Sequence, residues 1–213
     1  MRCIHAFLII FLFFSGQLNA QSMFGGTTRA VIIGVSEYEN EGIDDLRFAH
    51  KDAEAFLEFL RSDAGGNVPP ENIKFLVNKE AIHTNVELAL NWLVKESNKG
   101  DKAIFYFSGH GAAENTTWRK AGFLLTYNSN PQLYQSTAFA IDYLKNNIET
   151  LSKKDVDVIL ISDACRAGKA EGSSISGAHE ATSILQERFD REIKILSCQP
   201  DQVSHEGEMW GDG

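Results

Sequence analysis

The chain has 213 residues, 43% hydrophobic and 23% charged, enough for one globular domain with a buried core. Its formal net charge is −9 and no Lys/Arg cluster stands out, which argues against nucleic acid or an anionic membrane surface as partner. An acidic surface weakly favours a basic substrate, although acidity of this size also serves solubility alone.

Residues 1–20 differ in character from the rest of the chain. Arg2 precedes an apolar run, Ala6 to Phe14, and Ser15-Gly16-Gln17 leads to Leu18-Asn19-Ala20, the layout of a secretory signal with its cut after Ala20. A membrane anchor is the other reading, but the run is about half of the ~20 apolar residues that a span needs. The expectation is therefore an exported protein, periplasmic or extracellular, with no membrane span once the signal is cleaved. Cleavage removes one positive charge, Arg2, and takes the net charge from −9 to −10. Of three cysteines, Cys3 leaves with the signal while Cys165 and Cys198 remain. In an exported protein these two could pair as a disulfide. The setting of Cys165, between Asp163 and Arg166 at a strand end, favours a free nucleophile.

After a polar leader, residues 21–28, Arg29 to Ser36 reads as a buried strand. Asp44 or Asp45 is positioned to cap a helix whose Leu46, Ala49, Ala53, Phe56, Leu57 and Leu60 form one apolar face, with Asp52 on its flank. Asn72 to Asn78 is a second strand, and Thr84 with Glu87 spells a capping box for a helix through about Lys95. Lys102 to Gly111 is an apolar strand ending in Ser108-Gly109-His110-Gly111. Ala112 to Lys120 reads as a polar loop and Gly122 to Thr126 as a short strand. A helix over about Ala140 to Leu151 precedes the stretch Val156 to Gly168, an apolar strand around Val158 to Ile161 that stops at Asp163-Ala164-Cys165 and breaks into Arg166-Ala167-Gly168. Lys169 to His179 reads as a Gly- and Ser-rich linker, Glu180 to Phe189 as a helix and Glu192 to Cys198 as a last strand. Alternating strands and helices with β-branched runs predict an α/β fold, a three-layer α/β/α sandwich with a mostly parallel central sheet.

In such sheets chemistry collects beyond the carboxyl ends of the strands. If the strands ending at His110 and Cys165 are neighbours, these two residues share one edge. A histidine there can take a thiol proton and hand it to a leaving amine. The backbone N–H groups of Gly111 and Cys165 are then the expected oxyanion donors. A lone buried histidine or cysteine is more often packing than catalysis. The pair at matching strand ends, 55 residues apart, is the stronger signal.

With these motifs the chain resembles the caspase-like cysteine peptidases, and within them the metacaspase and bacterial caspase-homologue branch. The resemblance rests on Ala30-Val31-Ile32-Ile33-Gly34, Asp52-Ala53, Phe107-Ser108-Gly109-His110-Gly111 and Asp163-Ala164-Cys165-Arg166-Ala167-Gly168, and covers Arg29 to the C-terminus. It implies a caspase-hemoglobinase-like fold and a catalytic dyad, Cys165 as nucleophile and His110 as general base and acid, with no third residue required. It also implies that Asp52, Ser108 and Asp163 line a pocket selecting Arg or Lys before the scissile bond in polypeptide substrates. Two carboxylates in a narrow pocket suit a guanidinium, which bonds in a bidentate way. The bland alternatives are a solvated Asp52 and an Asp163 that caps the segment after its strand.

Two departures from the family pattern matter. Many metacaspases bind activating calcium through clustered acids, whereas here the stretch directly after His110 has only Glu114, then Asn115, Thr116 and Thr117, so no cofactor and no metal are expected, calcium activation staying open without an acidic loop to support it. Family members also continue past Met209-Trp210-Gly211-Asp212-Gly213 into a further strand and helix, so the domain, 29–213, is expected to be truncated at its C-terminal end. The competing function is a catalytically silent caspase-like interaction module; retention of both dyad residues speaks for the enzyme. A metal site from His110, Cys165 and Asp163 matches no structural zinc spacing.

Overall fold

The computed structural model describes residues 25–114, 121–164, 181, 183–185 and 193–196. The expected signal segment 1–20, most of the leader, Cys165, the linker 169–179, Cys198 and the C-terminal residues 203–213 lie outside these. The β-branched runs form the central sheet: β1 (Thr28–Gly34), β2 (Ile73–Val77), β3 (Lys102–Ser108), β7 (Asp157–Asp163) and β8 (Ile193–Leu196). Their order is β2-β1-β3-β7-β8 and every pairing is parallel. This is the α/β sandwich that the sequence predicts.

Side-chain alternation divides the core between two faces. Ala30 and Ile32 of β1 and Ile104 and Tyr106 of β3 pack with Ala53 and Leu60 of α1 (Ala49–Arg61) on one side. Val31, Ile33, Phe105 and Phe107 face the other side, with Leu90 and Leu93 of α2 (His83–Glu96) and Leu144, Ile148 and Leu151 of α4 (Ile141–Lys153). Strands buried on both faces read as continuous apolar runs, which is why the sequence locates them well. The chain runs from β1 outward to β2, then returns to place β3 on the other side of β1. That reversal opens a crevice at the carboxyl ends of β1 and β3.

Three local expectations are corrected. Neither Asp44 nor Asp45 caps α1: it begins at Ala49 behind Phe48, with no side-chain cap. The Asp45 carboxylate instead accepts the Tyr38 backbone N–H at 2.9 Å. The Thr84–Glu87 capping box does not form, because the N-cap is Ile82, two residues earlier, and the His83 N–H donates to Asn128 Oδ1 at 2.9 Å. Residues beyond His110 are not all loop. Gly111–Glu114 form β4, which pairs antiparallel with β5 (Ala121–Leu124), and β5 pairs with β6 (Phe139–Ala140), which follows the short helix α3 (Tyr134–Thr137).

At the opposite, amino end of the sheet, Asp101 fastens the start of β3. Its carboxylate accepts from the Thr27 N–H at 2.7 Å, the Asn98 N–H at 2.9 Å and the Arg29 guanidinium at 2.6 Å. Burial alone would raise its pKa, but the Asn98 and Thr27 donors and Arg29 together hold it below the ordinary carboxylate value. A depressed folded-state pKa contributes stability above the unfolded pKa, and that contribution is lost as pH falls through the folded value. Asp101→Ala is therefore expected to cost about 3 kcal/mol at neutral pH. Urea unfolding should show the gap to wild type narrowing as the solution is acidified through the carboxylate range.

Candidate active site

The last residues of three adjacent strands are level: Ser108 of β3 lies opposite Gly34 of β1 and Asp163 of β7. Ser108 falls on the same face of β3 as Ile104 and Tyr106, and Asp163 on the same face of β7 as Ile159 and Ile161. That face carries α1. Ser108 is fully buried and its hydroxyl approaches Asp52 Oδ2 on α1 at 3.4 Å. Gly34 permits this approach of helix to sheet. A Cβ there would stand 2.6 Å from both the Ala49 carbonyl oxygen and the Ala53 Cβ. So Asp52, Ser108 and Asp163, from three separate segments, sit at one strand-end corner of the sheet, with both acids half-buried.

His110 follows β3 by two residues and is 3% exposed. Its Nε2 lies 2.8 Å from the Asp44 carbonyl oxygen. A carbonyl only accepts, so Nε2 carries the proton and, in the neutral ring, Nδ1 is the basic nitrogen. The imidazole stacks on the Tyr38 ring with centroids 5.2 Å apart and an interplanar angle of 29°. The His110 backbone N–H donates to the Tyr38 hydroxyl at 2.9 Å. Tyr38 and Asp44 both belong to the loop 35–48 that joins β1 to α1, on the β1 side of the crevice.

The histidine segment packs directly on the chain that leads into Cys165. The Gly109 N–H donates to the Asp163 carbonyl at 3.3 Å. A Cβ on Gly111 would stand 3.1 Å from the Ala164 carbonyl oxygen and 3.1 Å from the Ala181 Cβ. Only glycine fits that approach without displacing a neighbour. Cys165 itself, the next residue after Ala164, lies outside the described residues. In the β4–β5 ladder Gly111 is opposite Leu124, and Leu125 donates to the His110 carbonyl at 2.8 Å. This makes Gly111–Leu124 a non-hydrogen-bonded pair, so the Gly111 N–H points away from β5.

The sequence model of the caspase domain matches residues 27–211. The chain belongs to the caspase-domain family. Among characterised proteins, Metacaspase-2 of Arabidopsis thaliana is 36% identical over 92 residues, 40% of this chain and 21% of that protein. Metacaspase-1A of Aspergillus oryzae is 29% identical over 92 residues, again 40% of this chain and 21% of the relative. Metacaspase-1 of Candida glabrata is 29% identical over 103 residues, 46% of this chain and 25% of the relative. These matches span a quarter or less of the relatives' own length. Among solved structures, protein GSU0716 from Geobacter sulfurreducens superposes with a TM-score of 0.60 at 18% identity, over 85% of this chain and 76% of its own. At that identity the likeness speaks for the fold.

Sequence reading misses two parts of this caspase-domain site. Tyr38 falls just past the strand predicted over Arg29 to Ser36 and belongs to no motif, and the Asp44 carbonyl carries no side-chain signal at all. Both contact His110 across large separations in sequence, 72 and 66 residues. The one available clue to Tyr38 is its position, four residues past the end of a strand that borders the crevice. Among the described residues, no group of three or more His, Cys, Asp or Glu side chains is placed to hold a metal ion, and no helix is long and apolar enough to cross a membrane.

Proposed function

We propose that this chain is a cysteine endopeptidase that cleaves polypeptides after Arg or Lys, with Cys165 as nucleophile and His110 as general base and acid. The observation that carries the reading is the packing of Gly111 against Ala164 beside the paired ends of β3 and β7. It brings the histidine motif to the residue preceding the cysteine. Family membership supports the same chemistry.

In this mechanism His110 Nδ1 takes the Cys165 proton, since Nε2–H is committed to the Asp44 carbonyl. The thiolate attacks the scissile carbonyl, and the N–H groups of Gly111 and Cys165 stabilise the oxyanion. His110 then protonates the leaving amine, and water, deprotonated by the same ring, releases the acyl group from sulfur. No step is routed through a metal or cofactor. Asp52 and Asp163, with Ser108 between them, supply two carboxylates for a substrate guanidinium or ammonium. The proposal includes export, which rests on the signal-like residues 1–20.

Purified reduced protein is expected to turn over fluorogenic peptides ending in Arg or Lys, and Cys165→Ala to abolish that turnover. Cleavage after Asp would keep the peptidase and overturn the pocket. No turnover of any peptide would favour a silent interaction module.

A further inference from the structure

We propose that Tyr38 is a positioning residue for His110, seating the imidazole from the β1–α1 loop so that its Nε2–H meets the Asp44 carbonyl. The proposal rests on the peptidase reading for its kinetic consequence, but its structural content concerns His110 alone. Three contacts converge on the histidine from loop 35–48. The Tyr38 hydroxyl accepts the His110 backbone N–H at 2.9 Å, fixing where the residue leaves β3. The Tyr38 ring lies against the imidazole at a 5.2 Å centroid separation, fixing the ring plane. The Asp44 carbonyl accepts Nε2–H at 2.8 Å, fixing the rotation about that plane.

The phenol is committed to this task. Its own hydrogen points to the Val35 carbonyl at 3.3 Å, which turns an oxygen lone pair toward His110. Burial pushes the phenol well above its ordinary pKa, outweighing the lowering effect of the His110 N–H, so it stays a neutral donor and acceptor throughout the working range. Tyr38 is in turn held by its neighbours. Its backbone N–H donates to Asp45 Oδ1 at 2.9 Å, adjacent to the carbonyl that receives Nε2–H. The next residue, Glu39, donates its N–H to the Tyr127 carbonyl at 2.9 Å. Space around the phenol is filled, since a Cβ on Gly109 would stand 3.3 Å from the Tyr38 hydroxyl and 3.0 Å from the Phe107 ring. A phenylalanine at position 38 could stack but could not accept the His110 N–H, which would be left buried and unsatisfied. A leucine would lose the stack as well.

The test uses the full chain labelled with ring-¹⁵N histidine, the His110 signals being assigned by their absence in His110→Gln. Wild type is expected to show one protonated and one unprotonated ring nitrogen, the signature of a fixed Nε2–H tautomer. Tyr38→Phe is expected to move both signals toward intermediate values as the tautomers exchange. On an Arg peptide it should lower kcat about tenfold, the size of one net hydrogen bond, with KM within about twofold. Tyr38→Leu should fall further in the same direction. Wild-type ring signals in Tyr38→Phe, or kcat within twofold of wild type in an active enzyme, overturn the proposal. If Tyr38→Phe does not fold, Asp45→Ala, at an exposed residue, replaces it. A smaller shift of the same kind supports the proposal, and unchanged ring signals overturn it. Should wild type turn over no peptide, the peptidase reading fails and the ring signals alone decide the role of Tyr38.

Discussion

Replacing His110 by alanine is expected to lower kcat/KM on an Arg peptide by about 10²–10⁴-fold, the span associated with a general acid–base group. Cys165→Ala should be at least as slow, because it removes the nucleophile itself. The informative result is the double variant. Thiol and imidazole act as one unit in the proposed reaction: the ring has nothing to deprotonate without the thiol, and the thiol is mostly protonated without the ring. Double and slower single variants should therefore be equally slow, as groups acting in one step are strongly non-additive. Multiplicative losses would mean that the two residues serve separate steps and would sink the dyad. His110→Ala also removes the Nε2–H bond to Asp44 and the stack on Tyr38, so thermal unfolding of the variant should accompany the kinetics. A few degrees of lost Tm with intact folding at the assay temperature separates chemistry from collapse.

The parts of this site visible in the sequence are those whose cause is local. β1, β3 and β7 are legible because a strand covered on both faces must be apolar at nearly every position, and each ends abruptly in Gly, Ser or Asp. Their common edge follows once they are paired, so His110, Ser108 and Asp163 can be gathered from sequence alone. The helix starts escape sequence reading for the converse reason. Asp45 and Thr84 look like caps because caps are usually local. Here the Asp45 carboxylate serves the backbone of Tyr38, and the α2 N-terminus takes its acceptor from Asn128. β4 is four residues, Gly-Ala-Ala-Glu, with no β-branched side chain, and its strand character comes from pairing with β5. The cradle around His110 is the extreme case. A backbone carbonyl is chemically the same at every residue, so only the folded chain can single out that of Asp44.

The second large effect is expected at the acidic corner. Asp52→Asn keeps shape and removes charge, and should lower kcat/KM for Arg peptides by roughly 10²-fold or more, since leaving one partner of a desolvated charge pair alone costs about 2–5 kcal/mol. Asp163→Asn should act similarly. Most of the loss is expected in KM, because the guanidinium is held before and during acyl transfer alike. Arg should suffer more than Lys, as a planar fork can engage both carboxylates while an ammonium engages them as a point charge. Ser108→Ala gives the internal control. Its hydroxyl lies 3.4 Å from Asp52 Oδ2, a long contact, so its loss should cost only a few-fold unless the hydroxyl itself meets substrate. Gly34→Ala tests the scaffold instead of the charge. Its Cβ would enter within 2.6 Å of Ala49 and Ala53, pushing α1 off the sheet and carrying Asp52 away from Ser108. Discrimination between Arg and Asp peptides should then weaken although both carboxylates remain. If charge removal at Asp52 and Asp163 leaves Arg turnover untouched while Gly34→Ala destroys it, the corner supports the fold, and basic specificity has to be sought elsewhere on the cleft.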